Sequence, residues 1–292
     1  MTHDYTLVQV VTSDKLNLSG LYQPGDKNKT AVIAIHGFNG DFYSHTFYHD
    51  IADQLKKQGN ALVLAQTRGT GIRTEFIKTD RSAKYIGSNY ERIEDAHIDI
   101  TAFMQFLQAE GYTDIALLGH SLGTIKIVRY LSEGELADMV SKLVLLAPFD
   151  KNAFLEDKAS NRRDEFVSIA KAKIDAGQGE EIVPVPEFED FPVSYTTFHS
   201  WYHSSELSNM WDFYRADYDF PIMRGIQVPV KALLGSEDHF VTFPKFNEDA
   251  ASALACIKAN IPDVETVLLK GTGHAFQGQE KIVAKEVAEF LK

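Results

Sequence analysis

Two hydrophobic patterns take turns along this chain. Residues 5–11 and 16–22 alternate apolar and polar side chains, the period of a strand with one wet face, and Thr12-Ser13-Asp14-Lys15 between them suits a turn. They predict an opening antiparallel hairpin at a sheet edge. Residues 31–35, 61–65, 115–118, 143–147 and 230–234 are unbroken apolar runs instead, as expected of strands covered on both faces, with 266–269 as a last strand. Between the runs, residues 47–58, 91–109, 122–132, 246–260 and 280–291 repeat apolar positions at three- and four-residue spacing, the period of a helix with one buried face. In the second of these Ile93, Ala96, Ile100, Phe103, Met104 and Leu107 form a single stripe, and Gly111 supplies a stop. Helices alternating with apolar strands predict an α/β fold, a mostly parallel central sheet flanked by helices.

The alternation fails between about residues 151 and 225. Structureless connections of that length are uncommon in compact domains, so the stretch is expected to be an inserted cap, with 1–150 and 226–292 forming the core. From residue 188 to 220 it is unusually aromatic, and it holds both tryptophans, Trp201 and Trp211. Aromatic walls dominate ligand pockets, which makes these two residues candidates for substrate binding; the alternative is that they fill a small core of the insertion's own. Residues 151–225 carry fourteen acidic and eight basic side chains, which reads as a solvated face, or as a preference for uncharged or cationic substrates if the acids line an entrance.

Composition narrows the partners. At 292 residues with 44% hydrophobic and 24% charged content, the chain can bury a full core. Its net charge of −12 repels phosphate backbones and anionic lipid, which argues against nucleic acid and membrane surfaces. A lone cysteine, Cys256, cannot form an internal disulfide, and the first residues lack the basic and apolar regions of a secretory signal. A cytoplasmic protein is expected, with homo-oligomerisation left open.

The chemistry is most legible at Ile115-Ala116-Leu117-Leu118-Gly119-His120-Ser121-Leu122-Gly123, a buried strand running through Gly-x-Ser-x-Gly into a helix. A serine at so tight a turn projects its hydroxyl above the sheet, needs tiny neighbours, and has a helix N-terminus beside it that favours an oxyanion. A hydroxyl is a weak nucleophile, so a base must take its proton and a carboxylate must orient the base. Asp238 and His274 both stand just beyond late strands, where the C-terminal ends of parallel strands gather. Ser121, Asp238 and His274 also follow the chain order expected of this turn. The rivals are His239 as base and Glu237 as acid. Two oxyanion donors are expected, the backbone N–H of Leu122 and that of Phe38 in the loop after residues 31–35.

With His36-Gly37, Gly119-His120-Ser121-Leu122-Gly123, Asp238 and His274 in this order, the chain resembles an α/β-hydrolase. The resemblance covers all but the insertion, which stands where that family carries its cap. Within the family, the His-Gly-Phe loop, the Gly-His-Ser turn and the late Gly-x-x-Asp resemble carboxylesterases of the cinnamoyl or feruloyl esterase kind. Some members carry the acid at the place of Asp150, a further rival. Gln66-Thr67-Arg68-Gly69-Thr70-Gly71 departs from the Asp- and Gly-rich loop common there.

Other signals are weaker. Gly69-Thr70-Gly71 lacks the third glycine of a dinucleotide loop, and the pairs His45/His49 and His199/His203 lack the glutamate of a zinc protease. The expected function is therefore a cofactor-free, metal-free serine hydrolase acting on a small-molecule carboxylic ester. The same groups would also serve amide, thioester or carbon–carbon hydrolysis or acyl transfer, and a silent ligand-binding protein is the alternative from another class.

Overall fold

The opening hairpin forms as its alternation requires: β1 (Thr6–Val11) pairs antiparallel with β2 (Asn17–Gln23), Thr6 opposite Tyr22 and Val11 opposite Asn17. The computed structural model describes residues 3–159, 162–184, 191–203, 207–215 and 217–292, so Phe188 at the start of the expected aromatic stretch lies outside the described residues. The chain continues through β3 (Ala31–Ile35), α1 (Phe47–Gln58), β4 (Leu62–Ala65), β5 (Glu75–Ile77), β6 (Ala83–Tyr85), α2 (Ala96–Ala109), β7 (Ile115–His120), α3 (Leu122–Glu133) and β8 (Val140–Leu146). After β8 come α4 (Lys151–Ala159), α5 (Arg163–Asp175), α6 (Tyr195–Tyr202) and α7 (Pro221–Gly225). The last elements are β9 (Val230–Gly235), α8 (Ala250–Asn260), β10 (Val264–Leu269) and α9 (Glu280–Phe290).

Eight strands form one sheet in the order β1-β2-β4-β3-β7-β8-β9-β10, antiparallel at β1-β2 and β2-β4 and parallel from β4 to β10. The unbroken apolar runs explain the middle of it: β3, β4, β7 and β9 are buried at every residue. The chain leaves β3 toward β4 on one side and later returns to β7 on the other. That reversal opens a crevice at the carboxyl ends of β3 and β7, where ligands of open α/β sheets bind. Helix α1 packs against α9, and α2 against α3. No helix among the described residues is long and apolar enough to cross a membrane.

Some element bounds differ from the periodic reading. Residues Ile93–Asp95 form a 3-10 turn before α2. Helix α8 begins at Ala250 because Asp249 caps it, accepting the Ser252 N–H while the Ser252 hydroxyl accepts the Asp249 N–H. The last strand starts two residues earlier than its apolar run, and its exposed positions mark it as the sheet margin. The β5-β6 hairpin was not anticipated. Its strands are three residues long and β6 is exposed throughout, so no hydrophobic period announces it.

The segment between β8 and β9 is tied to the core by named bonds. Ser194 N–H donates to Asn89 O at 2.8 Å, Ile93 N–H to Ser200 Oγ at 2.9 Å, and the Trp211 indole to Thr124 Oγ1 on α3 at 3.0 Å.

Candidate active site

Strand β7 ends at His120 and α3 begins at Leu122, which leaves one residue, Ser121, to turn the chain. Its φ of 55° and ψ of −125° put a side-chain-bearing residue in a sparsely populated region, a conformation costing about 1–3 kcal/mol that the surroundings must hold. They do so from both sides. Ser121 N–H donates to Leu146 O at 2.9 Å, and the Thr124 N–H and hydroxyl reach Ser121 O at 3.0 and 2.7 Å. A Cβ on Gly119 would stand 2.5 Å from Gly123 O, so the turn closes only around glycine.

The loop after β3 rests on the serine. A Cβ at Gly37 would fall 2.7 Å from Ser121 Cβ and 3.2 Å from its hydroxyl oxygen. His36 fastens this loop: its Nδ1–H donates to Gly37 O at 2.9 Å, and its Nε2 accepts the Thr67 N–H at 3.1 Å. Because Gly37 O can only accept and the Thr67 amide can only donate, the imidazole is neutral with its proton on Nδ1. Burial, reinforced by Lys126, pushes the His36 pKa down to about 3. His36 is therefore a fixture of the loop.

Asp238 lies just past β9 and His274 just past β10. Both carboxylate oxygens of Asp238 meet His274 Nδ1, at 2.8 and 3.0 Å, and the Phe240 N–H donates to Asp238 Oδ1 at 2.9 Å. Asp238 is fully buried. A carboxylate on Nδ1 holds the proton there and leaves Nε2 with a free lone pair, the state needed to accept a proton. His120, the residue before Ser121, donates from Nε2 to the backbone oxygen of His274 at 3.0 Å, which ties the two loops together.

The rival residues face elsewhere. Glu237 is exposed. Asp150 is buried, with one oxygen accepting the Ala153 N–H and the other the Phe213 N–H, each at 2.8 Å. His239 is exposed, its ring 6.3 Å from that of His274. His49 pairs with the Tyr5 hydroxyl at 3.0 Å, and His203 donates to its neighbour's backbone, His199 O, at 2.8 Å. Among the described residues no group of three or more His, Cys, Asp or Glu side chains is arranged to hold a metal. The Gly69 segment is structural: Arg68 beside it is buried against Asp99, and Gly69 faces the Glu91 carboxylate with no room for a side chain.

Phe38 turns its ring into an aromatic set, 5.0 Å from Phe191 and 5.5 Å edge-on from Trp201. Phe240 stands edge-on to His274 at 4.5 Å. Trp201 is buried against the Phe38 loop, whereas Trp211 is buried against α3 through Thr124. Sequence reasoning missed Thr124 and Phe240. His45 was weighed only as half of a metal pair with His49; its ring lies 5.0 Å from that of His120, and its pKa is lowered by burial and by His274. Nothing in the linear pattern marks Thr124 or Phe240, since each meets the site through a neighbour brought by the fold.

With a strained hydroxyl, a backbone loop against it and a carboxylate-held imidazole at one sheet edge, the arrangement has the parts for acyl transfer. The chain is similar to Est1E of Butyrivibrio proteoclasticus, known with ferulic acid bound, at 16% identity over 97% of each chain and a TM-score of 0.65. It is also similar to the esterase Pf2001 of Pyrococcus furiosus, at 19% identity over 99% of this chain and 90% of that one, with a TM-score of 0.59. A UPF0613 protein of Schizosaccharomyces pombe is 23% identical over 194 residues, 65% of this chain; the match spans 57% of the relative's length. The sequence model of the alpha/beta hydrolase family matches residues 32–286, and the chain belongs to that family.

Proposed function

We propose that the protein is a serine hydrolase of carboxylic esters. His274 Nε2 takes the proton of Ser121 as its oxygen attacks the ester carbonyl, Asp238 stabilises the imidazolium, and the Phe38 and Leu122 amides receive the negative charge. An acyl-enzyme forms, and water deprotonated by His274 releases the acid. What supports this reading is that the strained Ser121 turn follows β7 and the His274–Asp238 pair follows β10 and β9 at the same end of the parallel strands, with His120 beside Ser121 bonded to the His274 backbone oxygen. That Pf2001 is an esterase and that Est1E is known with ferulic acid favour esters over amides, thioesters or carbon–carbon bonds.

In this reading residues 151–225 are a cap, and Trp201 walls the acyl side beside Phe38. The indole N–H of Trp211 is engaged by Thr124, which favours an anchoring role for it. The test is a burst of p-nitrophenol from p-nitrophenyl acetate together with fluorophosphonate labelling of Ser121. Ser121→Ala is expected to lose both, with kcat down about 10,000-fold or more. Unimpaired turnover by that variant would sink the assignment.

A further inference from the structure

A cavity of about 450 Å³ lies between α4 and the segment that follows Asp238. Four phenylalanines wall it, Phe154 of α4, Phe191, Phe240 and Phe243, and the rings of the first three stand 5.1 to 6.0 Å apart between centroids. The described residues that line it include neither Ser121, His274, Phe38 nor Leu122. Two of its lining residues nevertheless hold the acid. The Phe240 N–H donates to Asp238 Oδ1 at 2.9 Å while the Phe240 ring stands edge-on to His274 at 4.5 Å, and the Thr242 hydroxyl donates to Asp238 O at 2.7 Å.

We propose that this cavity is a second ligand site, separate from the ester under attack, that takes a flat, neutral aromatic molecule bearing one hydrogen-bond acceptor, and that its occupant steadies the Asp238–His274 pair. The walls select the ligand. The volume falls in the range of small-molecule sites, and Phe191, set at 72° to Phe154 and 80° to Phe240, gives a guest ring both edges and faces to meet. A saturated ring of similar outline fills the same space and forgoes those contacts. Asp157 and Lys158, exposed where α4 meets the cavity, carry opposite charges, which favours a neutral guest over an ion. The Lys158 ammonium stands 5.8 Å from the centre of the Phe154 ring, where it can donate to an acceptor on the guest. A ring packed on Phe240 restricts the residue whose amide orients Asp238, and a group locked by packing holds catalytic geometry more closely. The binding stands apart from the esterase reading; the effect on rate rests on it.

The experiment titrates the full chain with acetophenone and with cyclohexyl methyl ketone, its saturated counterpart, by ligand-observed NMR. We expect acetophenone to bind about fivefold tighter than the saturated ketone. It should bind protein labelled at Ser121 by a fluorophosphonate with unchanged affinity. Lys158→Trp, at an exposed position of α4, obstructs the mouth and weakens acetophenone about tenfold. Phe154→Leu removes one ring contact and brings the ratio of the two ketones toward one; a ratio within one variant cancels any loss of packing common to both. With p-nitrophenyl acetate as substrate, saturating acetophenone should raise kcat about threefold, and the rise should vanish in Lys158→Trp. No binding of acetophenone up to its solubility, binding abolished by the Ser121 label, or affinities unmoved in both variants overturns the site. A kcat unmoved in protein that binds acetophenone overturns its action on the acid. Absence of both turnover and Ser121 labelling overturns the esterase reading instead, and the site is then decided by the two variants.

Discussion

On the β4 side of α3 the buried charges meet partners of opposite sign, whereas on the β9 side three buried carboxyls crowd together. On the first side Arg68 donates to Asp99 Oδ1 from Nε at 3.0 Å and from Nη2 at 2.8 Å, and reaches Asp14 at 3.1 and 3.2 Å. Lys126 of α3, fully buried, stands 2.6 Å from Glu91. These pairs brace the loop after β4, whose Thr67 holds His36 and with it the loop against Ser121. On the other side Asp150, Asp212 and Glu248 are each at most 4% exposed and sit where the segment between β8 and β9 meets the β9–α8 connection. Asp212 has Arg215 at 3.2 Å, but one of its oxygens and both of Glu248 have no partner among the described residues. Lys151 nearby is a poor counter-charge, since burial and Arg163 push its pKa down to about 7. Burial with compensation makes a rigid support. Burial of like charges stores protons.

Removing one partner should therefore have opposite consequences on the two sides. Arg68→Met leaves Asp99 buried without its counter-charge, and urea denaturation should show a loss of about 3–5 kcal/mol. Much of that loss should return in a double variant with Asp99→Leu; if it does not, the pair is not what braces the loop.

Glu248→Gln should act the other way. Burial first, then Asp150 and Asp212, raise the Glu248 pKa in the folded protein. A carboxyl that holds its proton more tightly when folded contributes fully below its ordinary value of about 4.3, and that contribution is lost as pH climbs toward the folded value. The amide removes this loss, so the variant should be more stable by roughly 1–2 kcal/mol at pH 8–9 and no more stable near pH 4. Thermal melting across pH checks it, and equal stability at pH 9 would mean that the three carboxyls do not share a buried space.

The smallest effect is expected where the two sides join. Thr124 accepts the Trp211 N–H from the segment between β8 and β9 and donates to Ser121 O. Thr124→Val leaves the indole unpaired and should cost about 1 kcal/mol by denaturation. No change would place the anchorage of that segment elsewhere.

The parts of this molecule that bury apolar groups were legible, because the runs that become β3, β4, β7 and β9 are unbroken and too short for a buried helix, which leaves strands covered on both faces. The placement of Ser121, Asp238 and His274 just beyond strand ends was legible for the same reason. What was hidden is what depends on orientation. Glu237 and Asp238 are neighbours in the chain, yet one is exposed and the other buried against an imidazole. Arg68, Lys126 and Glu91 read as surface residues until the partner that permits their burial is known. The start of α8 could have been found, since Asp249 three residues before Ser252 is a capping pattern in its own right.

Phe240 hands its amide hydrogen to Asp238 while its ring closes one wall of the neighbouring hollow. A change along residues 238–243 therefore falls on two structures at once, the hold on the His274 ring and the shape of the hollow. From α4 the hollow takes Phe154, Asp157 and Lys158, which leave the acid's hold on the imidazole alone. Drift has its freer path at those three positions, and its slower clock in the short peptide around Asp238.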